Sequence, residues 1–167
     1  MSSASEQSVL GTLERLGVAF EPFTIDPAFA DTAAFCEKYG YPVEQYCNTI
    51  IVASKKEPKK FVACVVLAHT RLDVNKRVTK LMGVPKASFA SADEMMALTG
   101  MQVGGVTPFS LPAGLPLYID GRIMAADWVI LGSGGRSLKV KISPEVFKKI
   151  GAEVVPDLAL SAYESIL

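Results

Sequence analysis

Tyr46-Cys-Asn-Thr-Ile-Ile-Val-Ala-Ser54 and Phe61-Val-Ala-Cys-Val-Val-Leu-Ala-His69 are the two stretches from which the architecture of this chain follows. Both are nearly continuous apolar runs rich in β-branched residues, which is typical of strands that are buried on both faces. The segment between them, Lys55-Lys-Glu-Pro-Lys-Lys60, carries charges that must face water. The sequence therefore predicts a hairpin of two central strands with a lysine-rich tip.

Helices are predicted on both sides of this hairpin. Ser3-x-x-Glu6 has the pattern of a capping box, and Gly17 is typical of the residue that ends a helix. Similar start and stop signals predict further helices over 31–40, 73–83 and 91–100. Residues 18–24 look extended, and Pro22 restricts them to an edge strand or a loop.

The last third of the chain has the pattern of antiparallel strands. Strand-like runs over 115–119 and 128–131 and an alternating run over 138–142 are separated by Asp120-Gly121 and Gly132-Ser-Gly-Gly135, which are turn sequences. A short helix is predicted over 143–150. We therefore expect an α/β fold, with a mixed, partly barrel-like β-sheet and peripheral helices, in one domain over residues 1–167.

Composition excludes several classes of protein. The chain has 17 lysines and arginines and 17 acidic residues, so an anionic partner must be held by a local basic patch. Cys36, Cys47 and Cys64 show no CxxC spacing and are expected to be reduced core thiols. With His69 as the only histidine, we expect no metal site. The absence of a signal-like or bilayer-length apolar run predicts a soluble, cytoplasmic protein without a membrane partner.

The loop Met101-Gln-Val-Gly-Gly-Val-Thr-Pro-Phe-Ser-Leu-Pro112 is too apolar for ordinary surface and too rich in glycine and proline for regular structure. Gly104 and Gly105 allow backbone conformations and close approaches that a side chain forbids, and Pro108 fixes the exit of the loop. Its amides can therefore serve as fixed hydrogen-bond donors. A buried turn without any chemical role is the alternative that this spacing leaves open.

Four motifs follow one another in the order Leu98-Thr-Gly100, Gly104-Gly-Val-Thr-Pro108-Phe, Leu117-Tyr-Ile-Asp120 and Val129-Ile-Leu-Gly-Ser-Gly134. In this order they resemble the YbaK/ProX-type editing domains, which are free-standing relatives of the editing domain of bacterial prolyl-tRNA synthetases. The resemblance covers residues 9–150. Their joint order is much more specific than any one motif.

The resemblance implies a trans-editing aminoacyl-tRNA deacylase, a hydrolase that cleaves the ester of a misacylated tRNA bound by its acceptor end. The expected substrate is tRNA for proline that carries a smaller amino acid. A synthetase pocket separates amino acids that differ by one methylene by only about 1–3 kcal/mol, so a second site must remove the wrong products. No cofactor is implied, and a synthetase or an elongation factor is a possible protein partner.

Main-chain groups are expected to carry the reaction, because an aminoacyl ester is already activated and no Ser-His-Asp or Cys-His set is evident. The hypothesis is that groups around Gly104 and Gly105 hold the scissile carbonyl and the water, while Thr107 and Pro108 fix their direction.

Asn48-Thr49 occupies the place where the family's pattern has a lysine followed by threonine. Asn48 can donate a hydrogen bond to a phosphate or a ribose, but it supplies no positive charge. This difference leaves open a second interpretation, a catalytically inactive YbaK-like module that binds an aminoacyl-adenosine-like ligand or a synthetase.

The remaining substrate-binding candidates each have a structural alternative. Asp120 is either a carboxylate that reads the α-amino group of the substrate or the first residue of a hairpin turn. Phe109 is a pocket wall or a core residue, and His69 lines the pocket or caps the surface. Gly132, Ser133 and Gly134 form either an anion-binding concavity or an ordinary tight turn. Lysines over 55–60 and basic residues over 76–80 are candidate phosphate contacts or solvated surface.

Overall fold

The computed structural model describes residues 3–161, and most of its elements begin and end where the sequence predicts. The α-helices of this part are α1 (Ala4–Leu16), α2 (Thr32–Tyr39), α3 (Thr79–Met82) and α4 (Ala92–Thr99). The strands are β1 (Phe20–Thr24), β2 (Cys47–Ser54), β3 (Phe61–Leu67), β4 (Thr70–Leu72), β5 (Ala87–Phe89), β6 (Leu117–Asp120), β7 (Val129–Gly132), β8 (Leu138–Ile142), β9 (Glu153–Val155) and β10 (Ala159–Ser161).

Side chains cap the helices as the sequence predicts. The Ser3 hydroxyl accepts from the Glu6 N–H, and the Glu6 carboxylate accepts from the Ser3 N–H, which completes the capping box of α1. Ser91 and Glu94 form the same box at α4. Two predicted helices have different geometry: the helix after Asp73 begins as a π-helix over Val74–Val78 before α3, and Pro144–Lys149 is a 3-10 helix.

The predicted hairpin is confirmed as the centre of a five-stranded sheet. β2 and β3 pair antiparallel, and the strand order of the sheet is β5-β2-β3-β6-β9. β1, β8 and β7 form a second, antiparallel sheet, and β10 pairs with β4. β1 lies at an edge, so the missing N–H of Pro22 costs no ladder hydrogen bond.

The predicted run of antiparallel strands from Leu115 is wrong for its first strand, β6. β6 pairs parallel to β3 and to β9, and it lies in a different sheet from β7 and β8. Asp120 does not begin a hairpin turn, because its buried carboxylate accepts from the Leu158 N–H and from Arg122. The chain continues through a 3-10 helix over Gly121–Ala125 and crosses to β7.

The mixed α/β architecture is confirmed, but the strands of residues 3–161 form separate sheets and no closed barrel. The two larger sheets meet at one parallel bridge between Tyr46 and Ile130. Side chains alternate along the central strands. Val65 and Ile51 therefore pack into a core shared with β7, β8 and α1, whereas Val52 and Cys64 pack into a second core on the other face.

Candidate active site

The glycine loop packs directly against the turn between β7 and β8. The Gly105 N–H donates to the Gln102 oxygen at 2.9 Å, the Gly134 N–H donates to the Gly105 oxygen at 2.6 Å, and the Gln102 N–H donates to the Gly134 oxygen at 3.0 Å. A Cβ at Gly105 would lie 2.1 Å from the Gly135 oxygen, so only glycine fits. The two glycine-rich motifs that the sequence shows separately therefore form one structural unit.

Lys139 lies behind this loop, and the sequence analysis did not identify it. Its side chain is 0% exposed, and its Nζ donates to the oxygens of Ala30 and Gly104 at 2.7 and 2.9 Å and to the Tyr46 hydroxyl at 2.7 Å. Burial, together with the positive charge of Arg136, lowers the pKa of Lys139 to about 8. A buried cation thus fixes the Gly104 carbonyl from within the protein.

Arg136 joins the same loop to the start of α2 from outside. Its Nη1 donates to Asp31 Oδ1 at 3.0 Å and to the Val103 oxygen at 2.8 Å, and its Nη2 donates to the Pro27 oxygen at 3.0 Å. The planar guanidinium group makes all three contacts in one orientation. Lys139 and Arg136 together hold the loop in one place.

A cavity of about 370 Å³ opens beside Gly104. The structure brings Gly104 together with Asn48 and Thr49 here, as the sequence predicts, although Gly104 lies more than 50 positions from both in the chain. Other residues on the wall are Tyr46, Phe89 and Val106. The Asn48 amide oxygen accepts a hydrogen bond from the Thr32 hydroxyl, which also lies on the wall.

One wall of the cavity is an open strand edge. β5 covers only Val52–Ser54 of β2, so the first half of β2 lacks a strand on that side. In an antiparallel ladder the N–H and C=O groups of successive residues point alternately towards one neighbouring strand and towards the other. The Ser54 N–H donates to the Lys60 oxygen, on the β3 side. Thr49, five residues earlier, therefore points its N–H and C=O away from β3. Its hydroxyl is buried and has no hydrogen-bond partner among the described residues.

The loop supplies two further free donors. Within residues 3–161, the N–H groups of Gly104 and Val106 have no hydrogen-bond partner, and both residues line the cavity. The Gly105 N–H is occupied by Gln102. Val106 is a candidate that sequence reasoning missed, although it lies within the loop that was singled out.

Other predicted site residues lie behind the cavity or away from it. Thr107 is fully buried and its hydroxyl has no partner among the described residues, while Pro108 is buried beside it. Gly132, Ser133 and Gly134 support the loop from behind, and the Ser133 hydroxyl donates to the Leu138 oxygen. Phe109 stacks on Phe147 in the core at 6.4 Å, and neither Asp120 nor His69 lines the cavity.

The cysteines are free and buried. Burial raises the pKa of the Cys64 thiol to about 12, and it raises the pKa of Cys47 as well. Both thiols are therefore protonated at neutral pH and are poor nucleophiles. Within residues 3–161 no three His, Cys, Asp or Glu side chains are grouped closely enough to hold a metal ion. No helix of the described part has the length and apolarity needed to cross a bilayer.

The chain is similar to several known proteins. The family model described as the aminoacyl-tRNA editing domain matches residues 26–150. The uncharacterized protein YwhH of Bacillus subtilis is 26% identical over 129 residues, which cover 69% of this chain and 81% of YwhH. EbsC of Enterococcus faecalis, named as a candidate Cys-tRNA(Pro)/Cys-tRNA(Cys) deacylase, is 25% identical over 96 residues, which cover 58% of this chain and 56% of EbsC.

Among solved structures, a candidate trans-editing enzyme for prolyl-tRNA synthetase has the same fold. Its TM-score is 0.81 at 24% identity, with 97% of this chain and 100% of that chain covered. Because the family model matches more than half of the residues, the chain belongs to the aminoacyl-tRNA editing domain family, as its resemblance to the YbaK/ProX-type proteins implied.

Proposed function

We propose that the protein is a trans-acting aminoacyl-tRNA deacylase whose substrate is tRNA for proline charged with a smaller amino acid. The observation that carries this proposal is a cavity whose wall combines unpaired backbone N–H groups at Gly104 and Val106 with the open strand edge at Thr49. An editing domain needs such groups, because the ester that it cleaves requires polarisation and a positioned water rather than a strong nucleophile.

The proposed reaction uses the two sides of the cavity differently. The ester carbonyl oxygen accepts from the N–H groups of Gly104 and Val106, and each oxyanion donor is worth about 2.7–4 kcal/mol in such reactions. The Thr49 hydroxyl and carbonyl orient the attacking water. The water oxygen bonds to the carbonyl carbon, the bond to the ribose oxygen breaks, and a proton from the water passes to that ribose oxygen.

Size is the basis for the choice of amino acid. At about 370 Å³ the cavity lies near the lower end of the range of ligand sites, which is roughly 300–1,000 Å³. A site of this size is suited to the small terminal group of a large substrate. The names of the relatives point to tRNA for proline and to cysteine.

Deacylation of a panel of charged tRNAs tests the proposal. The purified protein is incubated with alanyl-, cysteinyl- and prolyl-tRNA for proline, and the release of amino acid is followed over time. We expect faster release of alanine or cysteine than of proline. Equal release of proline would contradict the size argument. Binding without turnover would favour the inactive binding module, which the neutral side chain of Asn48 suggests.

Substitution at Thr49 tests the assigned site. Thr49→Val keeps the shape of the side chain but removes the unpaired hydroxyl, and we expect kcat to fall about tenfold, which corresponds to roughly 1.4 kcal/mol. Thr49→Ser keeps the hydroxyl and is the matched control, so its kcat should stay within about threefold of wild type. Equal kcat for both variants and the wild type would remove the Thr49 hydroxyl from the mechanism.

A further inference from the structure

A second and larger cavity, of about 820 Å³, lies along β4, β5 and the π-helix between them. Four cationic residues line it: Lys55, Arg71, Lys76 and Lys86. We call it the basic groove. Phe89 belongs to the walls of both cavities, so the basic groove and the candidate active site adjoin at this residue.

No carboxylate of the described residues neutralises the positive charge of the basic groove. The four cationic side chains are exposed, and within residues 3–161 no carboxylate forms an ion pair with them. Among the described residues on the wall Asp73 is the only acidic one, and its Oδ1 accepts from the Lys76 backbone N–H. Since the whole chain has a net charge of zero, this excess of cations is a local feature.

Backbone pairing places two of these lysines next to each other. The Lys55 N–H donates to the Lys86 oxygen at 3.1 Å, which places the two lysines side by side. Two basic residues that the sequence grouped with them are engaged elsewhere: Lys59 pairs with Glu94 at 3.2 Å, and Arg77 donates to the Pro156 oxygen. An anion in the basic groove would relieve the repulsion between Lys55 and Lys86.

Phe89 supplies an exposed aromatic surface at the junction of the two cavities. Its side chain is 58% exposed, although it is large and apolar. Proteins that bind single-stranded nucleic acids combine this pair of features, a basic groove for the backbone and an exposed ring on which a base stacks.

We propose that the basic groove binds the single-stranded 3′ end of the tRNA. A base near the 3′ terminus stacks on Phe89, and the phosphates that precede it lie along Lys86, Lys55, Lys76 and Arg71. The terminal adenosine is thereby directed into the cavity beside Gly104. This inference rests on the proposed function, since it assigns an anchor to the same substrate.

Binding of a short RNA that carries no amino acid tests the proposed role of the basic groove independently of hydrolysis. The probe is a fluorescently labelled single-stranded RNA that ends in CCA, and fluorescence anisotropy gives its Kd at several KCl concentrations. The double variant Lys55→Ala/Lys86→Ala should bind about tenfold more weakly, and the slope of log K against log salt should be about 1.4 units shallower, about 0.7 for each lost phosphate contact.

Substitutions of Phe89 test the stacking of a base on its ring separately. Phe89→Ala should weaken binding about fivefold or more, while Phe89→Tyr keeps the stacking surface and should bind like the wild type. Lys148→Ala is the matched charge control, because Lys148 pairs with Glu145 and does not line the groove, and its Kd should not change. No binding of the probe by the wild type, or equal Kd and salt slope in the double variant, would overturn the proposal.

Turnover separates this inference from the proposed function. Groove-dependent binding of RNA without release of amino acid would support the basic groove and contradict the deacylase. Deacylation with unchanged kcat/KM and unchanged salt slopes in the groove variants would support the deacylase and contradict the groove.

Discussion

Lys139 shows how one buried charge shapes the site. The side chain is fully buried, and three oxygens replace the water that the ammonium group loses. No carboxylate of residues 3–161 forms an ion pair with it, so the charged form remains costly and the pKa falls to about 8. The benefit of this arrangement is a fixed Gly104 carbonyl beside the cavity.

The shifted pKa of Lys139 predicts a pH-dependent stability. The unfolded chain keeps the proton up to about pH 10.5, whereas the folded protein releases it near pH 8, so the contribution of Lys139 to stability rises with pH between these values. The unfolding free energy of the wild type, measured relative to that of Lys139→Met, should rise by about 1.5 kcal/mol from pH 8 to pH 9.5. Urea unfolding at each pH measures it, and a constant difference would contradict the prediction.

Residues in the loop could be found from the sequence, but the buried lysine that supports the loop could not. Gly104 was predicted from the conformational freedom of glycine and lies on the cavity wall together with Asn48 and Thr49. Lys139 was missed because the alternation of Leu138 and Val140 assigns the intervening position to solvent, whereas Ala30, Phe35 and Tyr46 cover the Lys139 side chain. No local pattern distinguishes a buried lysine from an exposed one.

At the scale of elements, Glu6 attaches α1 to the turn that supports the loop. Its carboxylate accepts from the Ser3 N–H at 2.7 Å, from the Ser137 N–H at 3.0 Å and from the Ser137 hydroxyl at 2.7 Å. The Cδ of Glu6 also lies 2.6 Å from the position of a Cβ at Gly135, so no side chain fits between the helix and the turn. The capping box of α1 thus also holds the β7–β8 turn.

Glu6→Gln tests this attachment. The amide keeps the size of the side chain but offers one acceptor oxygen in place of two, so at least one donor is left unpaired, and we expect a loss of about 1–3 kcal/mol. Amide hydrogen exchange at Gln102 and Gly134 should become faster, because the Gln102 N–H donates to the Gly134 oxygen, the Gly134 N–H donates to the Gly105 oxygen, and both bonds depend on the turn. Glu14→Gln, on the exposed side of α1, is the control. Equal exchange rates in both variants would contradict the assignment.

Strand pairing was the least predictable element-level feature. The hairpin of β2 and β3 could be predicted from two apolar runs and a charged tip, because these signals lie next to one another in one segment of the chain. The parallel pairing of β6 depends on distant partners, Cys64 and Glu153 among them. Asp120-Gly121 has the composition of a hairpin turn, but the buried contact of Asp120 with Leu158 overrides it. Local turn chemistry therefore predicts neighbours in the chain better than neighbours in the sheet.

At the scale of the whole molecule, the two larger sheets share one core. Ile51 and Ile119 of the five-stranded sheet pack in the same cluster as Val129 and Leu131 of the other sheet. The candidate active site lies where the sheets meet, beside the bridge between Tyr46 and Ile130. Neither sheet can lose its packing without exposing the other, which favours unfolding as one unit.

Cooperative unfolding is the prediction that tests the single domain. Trp128 reports on the three-stranded sheet by fluorescence, and far-UV circular dichroism reports on all elements, so their urea transitions should coincide. Ile119→Ala, a fully buried change in β6, should lower the unfolding free energy by about 2–5 kcal/mol. Because the core is shared, this distant substitution should move the Trp128 transition as far as the circular dichroism transition. A Trp128 midpoint that stays at its wild-type value would show that the sheets unfold independently.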